Sequence, residues 1–114
     1  MKPTKKRKPN LGERIVLREL GLDNNTLVPQ SAGYDIKTKD KFIEVKARFG
    51  LKNVTYLPLT ENEYNFLKNH KDKYMLHWVD SEKRKTFKKY TGKQILKKNP
   101  KKKISWRIDV WMDK

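Results

Sequence analysis

The chain contains no cysteine. That removes disulfides, thiol nucleophiles, iron–sulfur clusters and cysteine-ligated zinc in one step, and it leaves the redox compartment undetermined. No apolar run approaches the length of a membrane span, so no membrane-embedded part is expected. The charged start Met1-Lys2-Pro3-Thr4-Lys5-Lys6-Arg7-Lys8-Pro9 is followed by no apolar stretch. It therefore does not read as a secretion signal, and an intracellular, cytoplasmic protein is the simplest expectation. Acid is scarce as well. The 13 Asp and Glu face 29 Lys and Arg, a formal net charge of +16, with an isoelectric point near 10.1. Charge of one sign at this density attracts DNA, RNA or an anionic membrane without specifying which, and the attraction weakens steeply with salt.

What is present suffices for one core. At 114 residues the chain is long enough for a single domain and too short for two ordinary ones. Its hydrophobic fraction of 35% is low, but three Trp, five Tyr and four Phe supply bulky residues around which a small core can form. Residues 1–9, almost entirely Lys, Arg and Pro, cannot bury a core and read as a disordered basic arm. Residues 10–114 then form the domain, with a core over about 11–80 and a basic extension over 81–114.

Leu11 to Leu20 reads as a helix, with Asn10 able to cap its start, Gly21 able to end it, and Val16, Leu17 and Leu20 on one face. Thr26 to Gln30 and Gly33 to Thr38 are β-prone, and Lys39-Asp40 makes a tight turn into Lys41 to Arg48. There, alternation sets Ile43, Val45 and Ala47 on one face and Phe42, Glu44 and Lys46 on the other. Val54 to Leu57 is extended, and Thr60-Glu61-Asn62-Glu63 matches a capping box opening a helix that runs to about His70. Strands are expected over Tyr74 to Val79 and Thr86 to Tyr90, then a basic helix over Lys93 to Lys98 and an edge strand over Ile104 to Val110. This order predicts an α/β domain with a small mixed sheet flanked by helices.

Glu44 and Lys46 project the same way from their strand, and Asp35 arrives on the preceding strand of a hairpin. An acid, an acid and a lysine converge. Hydrolysis of a phosphodiester uses a divalent cation to neutralise phosphate and to lower the pKa of an attacking water, and Mg²⁺ prefers hard oxygen ligands. Asp35 and Glu44 can supply carboxylates, the Val45 backbone carbonyl a third oxygen, and Lys46 can hold the water and offset transition-state charge. A solvated sheet face with a cross-strand ion pair explains the same residues about as well.

The spacing Asp35, then Glu44-Val45-Lys46, resembles the PD-(D/E)XK nuclease superfamily, and the helix-strand-strand-strand-helix-strand order matches its restriction-endonuclease-like core. More narrowly, Gly33-Tyr34-Asp35-Ile36, Ile43-Glu44-Val45-Lys46 and Leu59-Thr60-Glu61-Asn62-Glu63 resemble the No Vein C-terminal domain family over about residues 11–80. Tyr34 stands where many superfamily members have Pro. The resemblance implies a Mg²⁺-dependent endonuclease on DNA, with Mn²⁺ able to substitute and RNA as a second substrate class. It also implies dimers, or association with a helicase or restriction subunit. The alternative is a binding module of the same fold that does not cleave.

Glu13 lies within the apolar stripe of the first helix, so it faces inward and needs a partner. The resemblance assigns it to the metal site, directly or through water; ion pairing with Lys46 or Arg14, or a favourable place in the helix dipole, accounts for it structurally. Lys5, Lys6, Arg7, Lys8, Lys97, Lys98, Lys101, Lys102 and Lys103 are expected to touch phosphates. Glu63 reads as a helix cap, His70 and His77 as surface or core histidines, and Trp78, Trp106 and Trp111 as packing residues.

Overall fold

The computed structural model describes residues 7–49, 56–104 and 107–111. Helix α1 (Leu11–Leu20) opens on a reciprocal capping box: the Asn10 side chain accepts the Glu13 N–H at 2.8 Å and the Glu13 carboxylate accepts the Asn10 N–H at 2.9 Å. Gly21, with φ of 67°, ends it in the left-handed conformation. Ile15, Val16 and Leu17 are buried, whereas Leu20, expected on the inner face, is exposed.

The strand expected over Thr26 to Gln30 is replaced by two 3₁₀ turns, Asn24–Thr26 and Gln30–Ala32, with Leu27 between them bridging to Ile36. Local chemistry explains this. Asp23 accepts the Asn25 N–H and so favours a turn, and Pro29 has no N–H to give a ladder. Next come β1 (Ile36–Lys37), β2 (Phe42–Arg48), β3 (Tyr56–Thr60), α2 (Glu61–Asn69) and β4 (Tyr74–Asp80). The chain finishes with β5 (Lys85–Thr91), α3 (Gly92–Leu96), β6 (Lys101–Ile104) and β7 (Arg107–Trp111). The order through β4 is the expected one, and the domain is α/β.

The strands form two sheets rather than one, β1-β2-β4-β5 and β3-β7-β6. In the first, β1 and β2 are an antiparallel hairpin, β2 and β4 run parallel, and β4 and β5 are antiparallel. The single edge strand expected over Ile104 to Val110 is instead two strands, and β7 is the middle strand of its sheet. The lysine run takes the edge as β6, where Lys101 and Lys102 are exposed, and Ile108 and Val110 of β7 are buried.

Each face of the first sheet is covered. Helix α1 packs Ile15, Val16 and Leu17 against Ile43 and Val79 on one side. At Gly12 the approach is so close that a Cβ would sit 2.9 Å from that of Ala47. On the other side Leu76, Trp78 and Tyr90 meet Leu57, Leu59, Ile108 and Val110 of the second sheet, with Leu67 of α2 and Ile95 of α3. Burial on both faces is what a parallel pair requires. It also means that the face of β2 carrying Glu44 is not the solvated face its alternation suggested.

Candidate functional site

Asp35 precedes β1, and its main chain is fixed before its side chain is used: its N–H donates to the Ile43 carbonyl at 2.9 Å and its own carbonyl accepts from Val28 at 3.1 Å. The carboxylate turns across the hairpin, and Oδ2 accepts the Val45 N–H at 2.8 Å. Because the N–H and C=O of one strand residue point to the same edge, the Val45 carbonyl projects on the side where Asp35 sits. Gly33, at φ 89°, sets up this turn; a Cβ there would lie 2.9 Å from that of Phe66 on α2. The left-handed conformation and the close approach both call for glycine.

Glu44 is 2% exposed and flanked by acids. The charges of Asp35 and Glu63 both act on its carboxyl, and among the described residues its Oε1 has no hydrogen-bond partner. Lys46, two residues on and on the same face, places Nζ 3.6 Å from Glu44 Oε2 and 2.9 Å from Glu63 Oε1. Glu63 is thus both the N3 residue of the α2 capping box with Thr60 and the anchor of the site lysine. Sequence reasoning stopped at the cap. The missed signal was that a capping carboxylate lies on the first turn of a helix, where a second cation can also reach it.

Burial sets the electrostatics. It lifts the Asp35 carboxyl to about 6, reinforced by the charge of Glu13 and opposed by the Val45 N–H. It lifts Glu44 well above the usual carboxylate range, helped by the charges of Asp35 and Glu63. Burial alone would lower Lys46, but the charges of Glu44 and Glu63 override it and raise the ammonium's pKa. Burial pushes the Glu63 carboxyl up, but Lys46 and the Thr60 N–H together bring it below its ordinary value. The Tyr74 hydroxyl, buried beside these acids, is pushed well up. The site therefore holds one firm cation and more carboxyl groups than that cation can neutralise.

Glu13 is buried as expected, but its partner is neither Lys46 nor Arg14. Arg7 grips it with two parallel bonds of 2.8 and 2.7 Å, donates from Nε to the Val28 carbonyl at 2.6 Å, and reaches the Asp35 carbonyl at 3.2 Å. The Glu13 oxygens are thereby taken up by Arg7 and the Asn10 N–H, which leaves the residue close to Asp35 as a fixed charge. Arg7 departs from its expected place in a solvated arm for the same reason: a buried carboxylate calls for a planar, bidentate cation. Lys8 is exposed. Lys5, Lys6 and Trp106 lie outside the described residues.

Among the other basic candidates, Lys97, Lys101 and Lys102 are exposed and Lys98 half-buried; only the backbone of Lys103 is described. Lys102 approaches Glu61 in the first turn of α2 at 3.5 Å, two residues from Glu63. Trp78 is core, whereas Trp111 is 52% exposed and so not the packing residue expected. His77 is buried, and its pKa is pushed down to about 4 by burial and Lys89. His70 stacks on Phe66 with centroids 4.0 Å apart.

Three oxygens could serve a hard divalent cation here. Glu44 presents an unpartnered buried oxygen, Asp35 keeps one carboxylate oxygen beyond its bond to Val45, and the Val45 carbonyl shares that edge. Among the described residues no three His, Cys, Asp or Glu side chains form a ready-made cage. Mg²⁺, however, is commonly held by one or two carboxylates with water completing its shell, which is what Asp35 and Glu44 offer.

Among the described residues no helix is long and apolar enough to cross a membrane. No curated protein and no solved structure matches the chain significantly. The family model described as "Protein NO VEIN, C-terminal" matches residues 11–91, a span that holds α1, the Asp35–Lys46 hairpin, Glu63 and the strands through β5. By that match the chain belongs to the NO VEIN C-terminal family.

Proposed function

We propose that this domain is a metal-dependent endonuclease acting on DNA, a divergent member of the PD-(D/E)XK superfamily. The observation that carries the reading is the Glu44 carboxyl. It is 2% exposed, has an oxygen without a hydrogen-bond partner among the described residues, and lies between Asp35 and Lys46. An acid so placed costs stability unless a ligand uses it. Asp35, Glu44 and the Val45 carbonyl would hold Mg²⁺ or Mn²⁺, which when bound supplies charge neutralisation and a more acidic water.

The chain's own residues do the rest. Lys46, kept protonated by Glu44 and Glu63, orients the attacking water and offsets charge on the phosphate oxygens. Glu63 and the α2 cap fix where that ammonium points. Glu13, clamped by Arg7, sets the field at Asp35 from behind. Lys8, Lys97, Lys98, Lys101 and Lys102 supply phosphate contacts, with Lys5, Lys6 and Lys103 extending the same charge along the chain.

The test is to incubate the pure protein with supercoiled, branched and single-stranded DNA in Mg²⁺, Mn²⁺ or EDTA. Cleavage in either metal, absent in EDTA and absent in Lys46→Ala, is the expected result. Tight binding with no cleavage under any of these conditions would establish the non-cleaving module instead.

A further inference from the structure

Away from the acidic site, the C-terminal part of the chain has a composition of its own. No Asp or Glu lies between Glu82 and Asp109, a stretch that holds 12 of the 29 Lys and Arg. The fold gathers part of this stretch around a cleft of about 540 Å³ lined by Tyr90, Gln94, Lys97, Lys98, Asn99 and Trp111. Its construction follows from three elements. Helix α3 ends at Leu96 and delivers Lys97 and Lys98 just beyond its last turn. Asn99, at φ 54°, takes the left-handed conformation that Asn tolerates and turns the chain into β6. Trp111 ends β7, in register with Tyr56 of β3, and so closes the cleft from the second sheet.

We infer that this cleft is a binding subsite for an unpaired nucleotide of a nucleic-acid strand, with the base against Trp111 and the phosphate on Lys97 and Lys98. The lining has the two parts that such a ligand needs, and among the described residues none of it is acidic. An indole that is 52% exposed provides a wide π face, and stacking on it is insensitive to base identity. Two consecutive lysines supply the cations. Lys98 also lies over the Tyr90 ring at 5.3 Å, which holds the ammonium at the cleft wall. A duplex keeps its base faces stacked inside and presents only phosphate to such a site, so the cleft favours single-stranded or frayed nucleic acid over duplex.

The cleft and the acidic site share one side of the first sheet. Glu44 pairs with Leu76 and Leu76 with Tyr90, which puts Glu44 and Tyr90 in one row two strands apart, roughly 10 Å between backbones. This inference deepens the nuclease reading and rests on its nucleic-acid part: it makes the substrate a DNA with unpaired nucleotides beside the cleavage point.

The experiment is fluorescence anisotropy of the full chain in EDTA with fluorescein-labelled oligo(dT) and with a duplex of equal length. Trp111→Ala should weaken oligo(dT) binding by roughly 5- to 100-fold and leave duplex binding within about twofold. Trp111→Phe should recover most of the loss. Lys97→Ala should lower the salt slope for oligo(dT) by about 0.7. Thermal melts of each variant establish that it is folded, and Lys97→Ala, at an exposed position, keeps the test open should Trp111→Ala fail to fold. Unchanged oligo(dT) binding by folded Trp111→Ala, or equal loss for oligo(dT) and duplex, would overturn the inference, as would displacement of the oligonucleotide by dTMP at equal nucleotide concentration. Cleavage by wild type together with binding that ignores Trp111 removes this subsite alone. Trp111-dependent binding without metal-dependent cleavage removes the nuclease alone.

Discussion

Replacing Asp35 by Asn removes one buried carboxylate while keeping an acceptor for the Val45 N–H, so it isolates what the charge costs the fold. The Asp35 carboxyl is lifted from 3.8 to about 6. Between those values the folded protein holds a proton that the unfolded chain has released. Stability therefore rises as pH falls through about 6, and the gain is complete below the unfolded value. At 1.36 kcal/mol per unit, the shift is worth about 3 kcal/mol of destabilisation at neutral pH.

In wild type this slope is masked. His77, lowered from 6.5 to about 4, is protonated first in the unfolded chain, so its contribution to stability is lost over much the same window as pH falls. The difference between wild type and Asp35→Asn cancels His77, and Glu44, freed of a neighbouring charge, moves the difference in the same sense. Urea unfolding in EDTA should find Asp35→Asn gaining on wild type by about 3 kcal/mol between about pH 4 and pH 7.5. Adding Mg²⁺ near pH 7.5 at about 100 times its Kd should return about 2.7 kcal/mol to wild type and little to the variant. Parallel pH profiles for the two proteins would refute the burial argument, and equal Mg²⁺ stabilisation would remove Asp35 from the metal ligands.

Arg7→Ala strands the Glu13 carboxylate, whose side chain is 2% exposed, and should cost about 3 kcal/mol, or roughly 10 °C in Tm, whereas Lys8→Ala should leave the melt unchanged. Deleting residues 1–6 should weaken DNA binding and flatten its salt dependence at constant Tm; an unaltered slope would take that arm off the phosphates. Glu63→Gln should leave a folded protein whose cleavage falls off at lower pH on the alkaline side, because burial then acts on Lys46 with one fewer opposing charge. A pH–rate profile superimposable on wild type would sever Glu63 from the lysine. Glu44→Gln should abolish cleavage and raise stability in EDTA, and a normal rate in that variant would dismiss the site.

Local chemistry was readable where it is spelled out by neighbours in the chain. The capped helix α1, the Lys39-Asp40 turn, the alternation of β2 and the Thr60–Glu63 box each depend on contacts within a few residues, and each formed in place. Alternation on β2 separated two faces, but it could not say that a second sheet covers the polar one, because that cover comes from β3 and β7. Arg7 had no chance of being singled out among the lysines around it. Its partners are the Glu13 side chain and the carbonyls of Val28 and Asp35, brought together by tertiary folding alone. Glu63 was visible and assigned one task where the fold gives it two. Trp111 misled because bulky aromatics usually fill cores, and position at the end of a strand is what leaves it exposed.

The parallel pairing of β2 with β4 also constrains the order of events when the chain folds. A hairpin can close β1 on β2 within microseconds, and that brings Asp35 to Val45 and Glu44. Parallel neighbours cannot be joined by a tight turn, so everything from the end of β2 to Tyr74 must loop out and return before β4 docks. That loop contains Thr60 and Glu63, the residues that hold Lys46 in position. With only that hairpin formed, Asp35 and Glu44 would be in place while the lysine would have no Glu63 to hold it. The carboxylates, still open to water, bear little of the burial cost that the finished domain imposes. The burial cost of the acidic site thus depends on contacts between segments far apart in the chain, and substitutions that relieve it should slow unfolding more than they accelerate folding.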